Sequence, residues 1–308
     1  MYKVCVYLLL QKKYLVKMFR SLICGWEECD LSIYRQAYSV YGGSVCTHPD
    51  VLTYLANKRK KDIRFFCRKK DGIIVSSTYS ISGSLNLYSK SHPFVFEDII
   101  LPSAPHSKFF LPVRTKKLSP LQKNAFINSF SSKMLNDEIC HMKSVFSPKT
   151  IKKRNGERNR FLKLGGEILD VNTLSAEEIC DSYINLFNAR WRGKISPFPR
   201  ENLLDAIENL RHMVFGSALA FNKKIIAIDL IFKTECPEWI YFDDINGGYD
   251  PQYNDIGAGS VLLWENYNRA RELCERDEKQ IIFSLGKNFS GMEYKKQWCN
   301  IIPLRRVF

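Results

Sequence analysis

The chain has 308 residues, 45% of them apolar and 25% charged. That is enough to build one large core or two ordinary ones, and it excludes a disordered protein. The net charge of +14, from 46 basic and 32 acidic residues, narrows the natural partners to nucleic acid, an anionic membrane surface, or an anionic cofactor or substrate.

The N-terminus opens on an apolar run, Val4 to Leu10, followed by Gln11-Lys12-Lys13. A membrane span needs about 20 apolar residues, and no signal-peptide cleavage site is visible. Residues 14–23 alternate apolar and basic types, as an amphipathic helix would. Residues 1–26 are read as an N-terminal extension, with Met1 or Met18 as the start. A helix is expected over Leu31–Tyr38, then a Tyr41-Gly42-Gly43-Ser44 turn, then a helix opened by Thr47-His48-Pro49-Asp50 with Thr47 as its cap. A basic segment from Lys58 to Lys70 contains a strand, Ile63–Cys67. Asp71-Gly72 signals a hairpin to a second strand, Ile73–Ile81. Short strands are expected at Phe94–Ile100 and Phe109–Val113 in a proline-rich stretch, and helices at Leu121–Phe130 and Asn136–Phe146. The boundary between an N-terminal α+β domain (27–147) and a C-terminal domain (148–308) is placed at Ser147-Pro148.

The second half reads more regularly. Lys149–Leu164 is a basic helix ending at Gly165-Gly166. Its charges, Lys149, Lys152, Lys153, Arg154, Arg158, Arg160 and Lys163, occupy too many helical angles for one neat face. After a strand at Glu167–Val171, Ser175 and Glu178 form a capping box for a helix that buries Ile179, Tyr183, Leu186 and Phe187. Another helix follows at Glu201–Met213. Val214–Phe221 and Lys224–Phe232 form a hairpin around Asn222. Trp239–Asp243 is the next strand, with Asn246-Gly247-Gly248 as a turn. Gly257-Ala258-Gly259-Ser260 then opens a helix with Leu263, Tyr267, Ala270 and Cys274 on one face, and Ile281–Ser284 is a strand.

Strand, glycine loop and helix N-terminus in that order can bind an anion, because the first-turn N–H groups and the helix dipole both favour negative charge. Gly257, Ala258, Gly259 and Ser260 are therefore the candidate cofactor residues. A coenzyme A pyrophosphate fits the description, and so does an ordinary helix start. Asp243 and Asp244 are adjacent on a strand and point to opposite faces, so one of them at most serves a substrate as general base. A hydrogen-bonded strand end explains them equally. Tyr294 and Lys295 are the other catalytic candidates, the lysine as stabiliser of an oxyanion; a surface Tyr-Lys pair is the plain alternative. Arg190-Trp191-Arg192 reads either as an anion site with stacking or as a core tryptophan between surface arginines. The five histidines have no Ser or Cys partner in a recognisable motif. The ten cysteines show no zinc-ligand spacing; they read as reduced, mostly buried thiols, which favours a reducing compartment. No nucleic-acid-binding signature accompanies the charge, so no specific nucleic acid recognition is expected.

The order helix, helix, three antiparallel strands, glycine loop, helix, strand resembles the GNAT acetyltransferase fold. Phe283-Ser284-Leu285-Gly286 followed by Glu293-Tyr294-Lys295-Lys296-Gln297-Trp298 resembles the closing motif of Fem-type aminoacyl transferases, although Ser284 stands where an acid is common. That likeness implies a charge-stabilising role for Lys295. Tyr41-Gly42-Gly43-Ser44 with Thr47-His48-Pro49, Ala189-Arg190-Trp191-Arg192-Gly193, and Phe242 through Gly248 resemble the macrophage-inducible virulence family of enterobacterial proteins. This resemblance implies an α+β protein with GNAT-like domains, two in tandem, peripheral to the cytoplasmic face of the bacterial inner membrane. It also implies a role in virulence and in resistance to cationic antimicrobial peptides. The expected chemistry is acyl or aminoacyl transfer from acyl-CoA, with aminoacyl-tRNA as the alternative donor, to an amine-bearing acceptor. The competing expectation is a non-catalytic accessory protein on an anionic membrane surface.

Overall fold

The computed structural model describes residues 24–132 and 137–307. The amphipathic segment, Met1 and Met18 lie outside the described residues. Strands β1 (Glu27–Cys29), β2 (Arg64–Lys70) and β3 (Ile73–Ser80) form an antiparallel sheet, covered by helices α1 (Leu31–Tyr41) and α2 (Pro49–Arg59). The β2–β3 turn uses Asp71 and Gly72, at φ 52° and 79°, as a two-residue hairpin demands. The cap of α2 is His48, whose Nδ1 accepts from the Asp50 N–H at 3.2 Å. Thr47, expected there, instead donates to the Ser44 and Ile100 carbonyls from a buried position.

Two expected helices are not helices. Leu121–Phe130 holds a single 3₁₀ turn, preceded by β4 (Thr115–Leu118) and followed by β5 (Ser129–Phe130). The run ending at Phe146 contains β6 (Glu138–Met142). A short apolar run is ambiguous between helix and strand. Here a central slot in a sheet decides, because β6 pairs on both edges, with β12 (Gln280–Asn288) and β13 (Cys299–Pro303). The proline-rich stretch at 94–113 forms isolated bridges rather than strands.

The main sheet has eight strands in the order β13-β6-β12-β11-β10-β9-β7, with β8 (Val214–Phe215) also on β10. Here β7 is Gly166–Asp170, β9 Ser217–Phe221, β10 Lys224–Glu235 and β11 Trp239–Tyr249. Every pairing is antiparallel except β11 with β12. Two strands cross the boundary placed after residue 147: β6 enters the main sheet, and β14 (Arg305–Val307) pairs with β4 and β5.

Helices α3 (Pro148–Lys163), α4 (Ala176–Trp191), α5 (Arg200–Asn209) and α6 (Ala258–Arg276) flank this sheet, and α7 (Lys295–Trp298) is a single turn. The α4 capping box is complete: Ser175 Oγ accepts from the Glu178 N–H at 3.1 Å, and Glu178 Oε2 accepts from the Ser175 N–H at 2.7 Å. On one face of the sheet, α4 and α5 share a core with the N-terminal half through Ile179, Tyr183, Phe232 and Tyr241. On the other, α6 packs Leu263, Tyr267, Ala270 and Cys274 against Ile240, Phe242 and Phe283. The α6 residues were legible from their spacing.

β11 continues through Asn246-Gly247-Gly248, which is not a turn. The glycines are sites of close approach within a strand. A Cβ on Gly248 would overlap the Leu186–Phe187 backbone of α4, and one on Gly247 would strike the Asp229 carboxylate. Gly156, inside α3, has nothing within 4 Å of its would-be Cβ. Gly248→Ala is therefore expected to destabilise the fold by about 2–3 kcal/mol, and Gly156→Ala to stabilise it by about 0.5–1 kcal/mol. Urea unfolding midpoints of the two variants check both signs.

Candidate functional site

β11 and β12 run parallel from Trp239/Gln280 to Asp243/Ser284 and then part. Each strand changes course at the fork. On β11, Ile245 is an extra residue: Ile231 pairs with Asp244 and Leu230 with Asn246. Such a bulge bends its strand. On β12, Gly286 has φ 70°, and the Ser284 hydroxyl accepts from its N–H at 3.1 Å. A cleft of about 620 Å³ opens between the diverging ends. Its walls include Asp244 to Tyr249 of β11, Leu285 of β12, Asp229 of β10, Arg190 and Trp191 of α4, and Lys153 and Arg154 of α3.

All four glycine-loop candidates, Gly257, Ala258, Gly259 and Ser260, line this cleft. Gly257, at φ 71°, is the N-cap of α6 and leaves its first turn without a side-chain cap. Tyr294 and Lys295 line the same space. Lys295 is 6% exposed, and its ammonium donates to the Leu285 carbonyl at 2.6 Å and the Lys287 carbonyl at 2.9 Å. These two bonds tie α7 to the bent end of β12. An ammonium has three N–H donors, so one remains for another partner. Tyr294 is 42% exposed, and its hydroxyl stands near the Arg190 guanidinium.

The two adjacent aspartates separate as strand geometry requires. Asp244 faces the cleft. Asp243 is buried on the opposite face, toward the N-terminal half, where burial and the charges of Asp98 and Glu97 push its carboxyl up. It does not reach the site. Asp98 is itself fully buried, accepting from His141 at 2.7 Å and the Tyr241 hydroxyl at 2.9 Å.

Sequence reading missed one acidic member of the cleft and left Arg190 undecided. Asp229, the one polar residue in the Ile225–Phe232 run of β10, lies opposite Gly247 and accepts from the Asn266 amide at 3.0 Å. Burial pushes its carboxyl up to about 6, against the opposing pull of Arg190 and Asn266. Asp244 is also pushed up, by burial and then by Asp229, with Lys295 and Arg190 opposing. The signal for Asp229 was a lone acid in the β-alternation of Ile226, Ile228 and Leu230. Arg190, left open between anion site and surface, donates to the Gly247 carbonyl at 2.8 Å and stacks over Trp191 and Tyr249. Two buried donors on the cleft wall, Arg154 Nε and Trp191 Nε1, have no hydrogen-bond partner among the described residues. Unpaired buried donors are uncommon and mark places where a polar ligand or water belongs.

The α3 charges also sort differently from expectation. Arg154 is 8% exposed, stacked on Trp298 and paired with Glu157; Arg158 pairs with Glu265. The remaining five, Lys149, Lys152, Lys153, Arg160 and Lys163, are exposed and fall within an arc of about 100° at 100° per residue. Removing the two inward arginines turns a scattered set into one face.

A model of the Mig-14 family matches residues 48–307. The chain belongs to the Mig-14 family. Among solved structures, FemX overlaps 92% of this Mig-14 chain and 97% of its own, at 6% identity and a TM-score of 0.60. A conserved Bacteroides thetaiotaomicron protein of unknown function covers 92% and 98% at 12% identity and 0.48. The C-terminal domain of an Agrobacterium fabrum protein assigned as a lysylphosphatidylglycerol synthetase covers 58% of this chain at 16% identity and 0.37; the chain spans 61% of that structure. No curated protein matches. Only the first overlap is close enough to define architecture. The Mig-14 chain has an α+β, GNAT-like fold.

A raised carboxylate makes the folded state the better proton binder. Its stabilising contribution is complete below the unfolded value near 3.8 and is lost as pH rises through about 6. Asp229→Asn is expected to raise stability at pH 8 by on the order of 2 kcal/mol and to leave it nearly unchanged below pH ~4. Denaturation midpoints measured across this range check the sign.

Proposed function

We propose that this Mig-14 protein is an acyl or aminoacyl transferase whose donor enters the fork between β11 and β12. The observation that carries the reading is convergence: the uncapped first turn of α6 and Lys295 line one cleft. The N–H groups of Ala258 to Ser260 hold an anionic group of the donor. The third N–H of Lys295 stabilises the oxyanion formed when an amine attacks the donor carbonyl. Asp244 takes the amine proton, its carboxyl made a better proton acceptor by burial and by the charge of Asp229. Acyl-CoA suits the phosphate end of the cleft; aminoacyl-tRNA is the alternative donor. The biological role proposed is virulence, through resistance to cationic antimicrobial peptides.

A second reading rests on the same lysine. Two carbonyls already hold Lys295, so it has a structural role whether or not chemistry occurs. In that case the fold serves a non-catalytic accessory protein. Thermal-shift titration separates the two. Transfer chemistry predicts a saturable rise in melting temperature with acetyl-CoA or longer acyl-CoAs, or with charged tRNA. The rise should be abolished in Gly259→Trp, and Lys295→Ala should lower turnover on the order of a hundredfold. A flat response to every donor leaves the accessory reading.

For location, we propose peripheral attachment to the inner membrane at its cytoplasmic face through the α3 stripe. Among the described residues no helix is long and apolar enough to cross a membrane. Basic groups near anionic lipid contribute about 1 kcal/mol each. Co-sedimentation with phosphatidylglycerol vesicles is expected, falling steeply with salt. It should be lost when Lys149, Lys152, Lys153, Arg160 and Lys163 are changed to Glu, with the fold intact by circular dichroism.

A further inference from the structure

A second cavity, of about 620 Å³, lies far from the fork in the fold, against the edge of the β1–β2–β3 sheet. Its lining includes Glu28, Cys29, Asp30, Asp62, Arg64 and Phe65. Cys29 is partly exposed there, whereas every other described cysteine is buried. Cys29 pairs with Phe65, and Cys67 with Glu27. The two cysteines are therefore diagonal neighbours on one face of adjacent strands, close enough that each is the largest influence on the other's acidity.

We propose that Cys29 and Cys67 form an oxidisable dithiol, a modification site for small neutral hydroperoxides that enter through this cavity. Three arguments support it. The two thiols are on one face of adjacent strands, so the second step is intramolecular. Cys29 beside it and the charge of Lys69 hold the Cys67 thiol down to about 7, while Cys67 and burial push the Cys29 thiol up, so near neutral pH Cys67 is the thiolate of the pair and can take the proton of Cys29. The cavity wall carries Glu28, Asp30 and Asp62 against a single Arg64, itself paired with Glu28, so anionic disulfides are repelled and neutral peroxides are not.

The chemistry balances without another reactant. As the Cys67 thiolate takes the Cys29 proton, the Cys29 sulfur attacks one peroxide oxygen, the O–O bond breaks, and the leaving oxygen takes that proton to give water or an alcohol, which restores the Cys67 thiolate. Cys29 is left as a sulfenic acid. The Cys67 thiolate then attacks the Cys29 sulfur, the S–O bond breaks, and hydroxide leaves to become water. Two thiols are oxidised to one disulfide while the hydroperoxide gains two electrons.

A disulfide needs Cα atoms within about 7 Å, and diagonal cross-strand neighbours sit near that limit. β1 can move in to close the gap, because it is a three-residue edge strand held on one side only. Cys140 and Cys299 provide an internal control. They too are diagonal neighbours on adjacent antiparallel strands, on the opposite diagonal, with Cys299 opposite Met142 and Cys140 opposite Ile301. They differ in access, being 0% and 4% exposed where Cys29 is partly exposed.

The test treats the purified full-length chain with hydrogen peroxide, alkylates residual thiols and maps peptides by mass spectrometry. The expected result is a peptide pair joining Cys29 to Cys67, with a rise in melting temperature, both reversed by dithiothreitol. Cys140 and Cys299 should stay reduced until the protein is unfolded. In Cys67→Ser the sulfenic acid on Cys29 should persist and be captured by dimedone. The proposal is overturned if Cys29 remains alkylatable after excess peroxide. It is equally overturned if both cysteines oxidise with no joining peptide, or if the Cys140–Cys299 link forms as fast.

Discussion

Parallel pairing between β11 and β12 ends at Asp243 and Ser284, and the cleft depends on that break. Two continuously paired strands would leave no space between them. The break is enforced from both sides, by the extra residue Ile245 on β11 and by the bend at Gly286 on β12. Neighbours prevent it from closing. β10 holds β11 through its shifted register, and β6 holds β12. Lys295 then bonds the carbonyls of the bent end of β12, so the short α7 belongs to the same device. Strand alternation just before the bulge points Asp244 into the opening while Asp243 stays buried on the far face.

The electrostatics follow from this geometry. A protein of net charge +14 places two carboxylates, Asp229 and Asp244, in the floor of its main cleft. Burial raises both, and Arg190 and Lys295 oppose the rise. The result is a locally balanced floor under a basic exterior, with the exposed α3 stripe beginning at the cleft wall where Lys153 stands. Substrate amines and anionic donors are thus served by different parts of one opening.

Much of the architecture was legible because local signals agreed with the tertiary outcome. The capping box at Ser175 and Glu178, the Asp71-Gly72 hairpin and the apolar stripe of α6 each name their element from a few residues. The failures share one cause. β6 looked helical because a short apolar run has no diagnostic period, and only its central slot in the sheet makes it a strand. Gly247-Gly248 looked like a turn because glycine marks both turns and close contacts, and the α4 backbone above Gly248 decides which. The α3 charges looked scattered because burial of Arg154 and Arg158 against Glu157, Glu265 and Trp298 is a long-range fact.

Sequence alone determined that Asp243 and Asp244 could not serve one substrate together, since alternation along a strand is a local property. It also placed the glycine loop at the head of a helix and Lys295 on a short segment after the last long strand. Which aspartate faces the cleft, and that Asp229 and Arg190 join it, only the tertiary structure decided. Those placements depend on strand register, on a bulge and on the packing of α4, all set by contacts between residues distant in the chain.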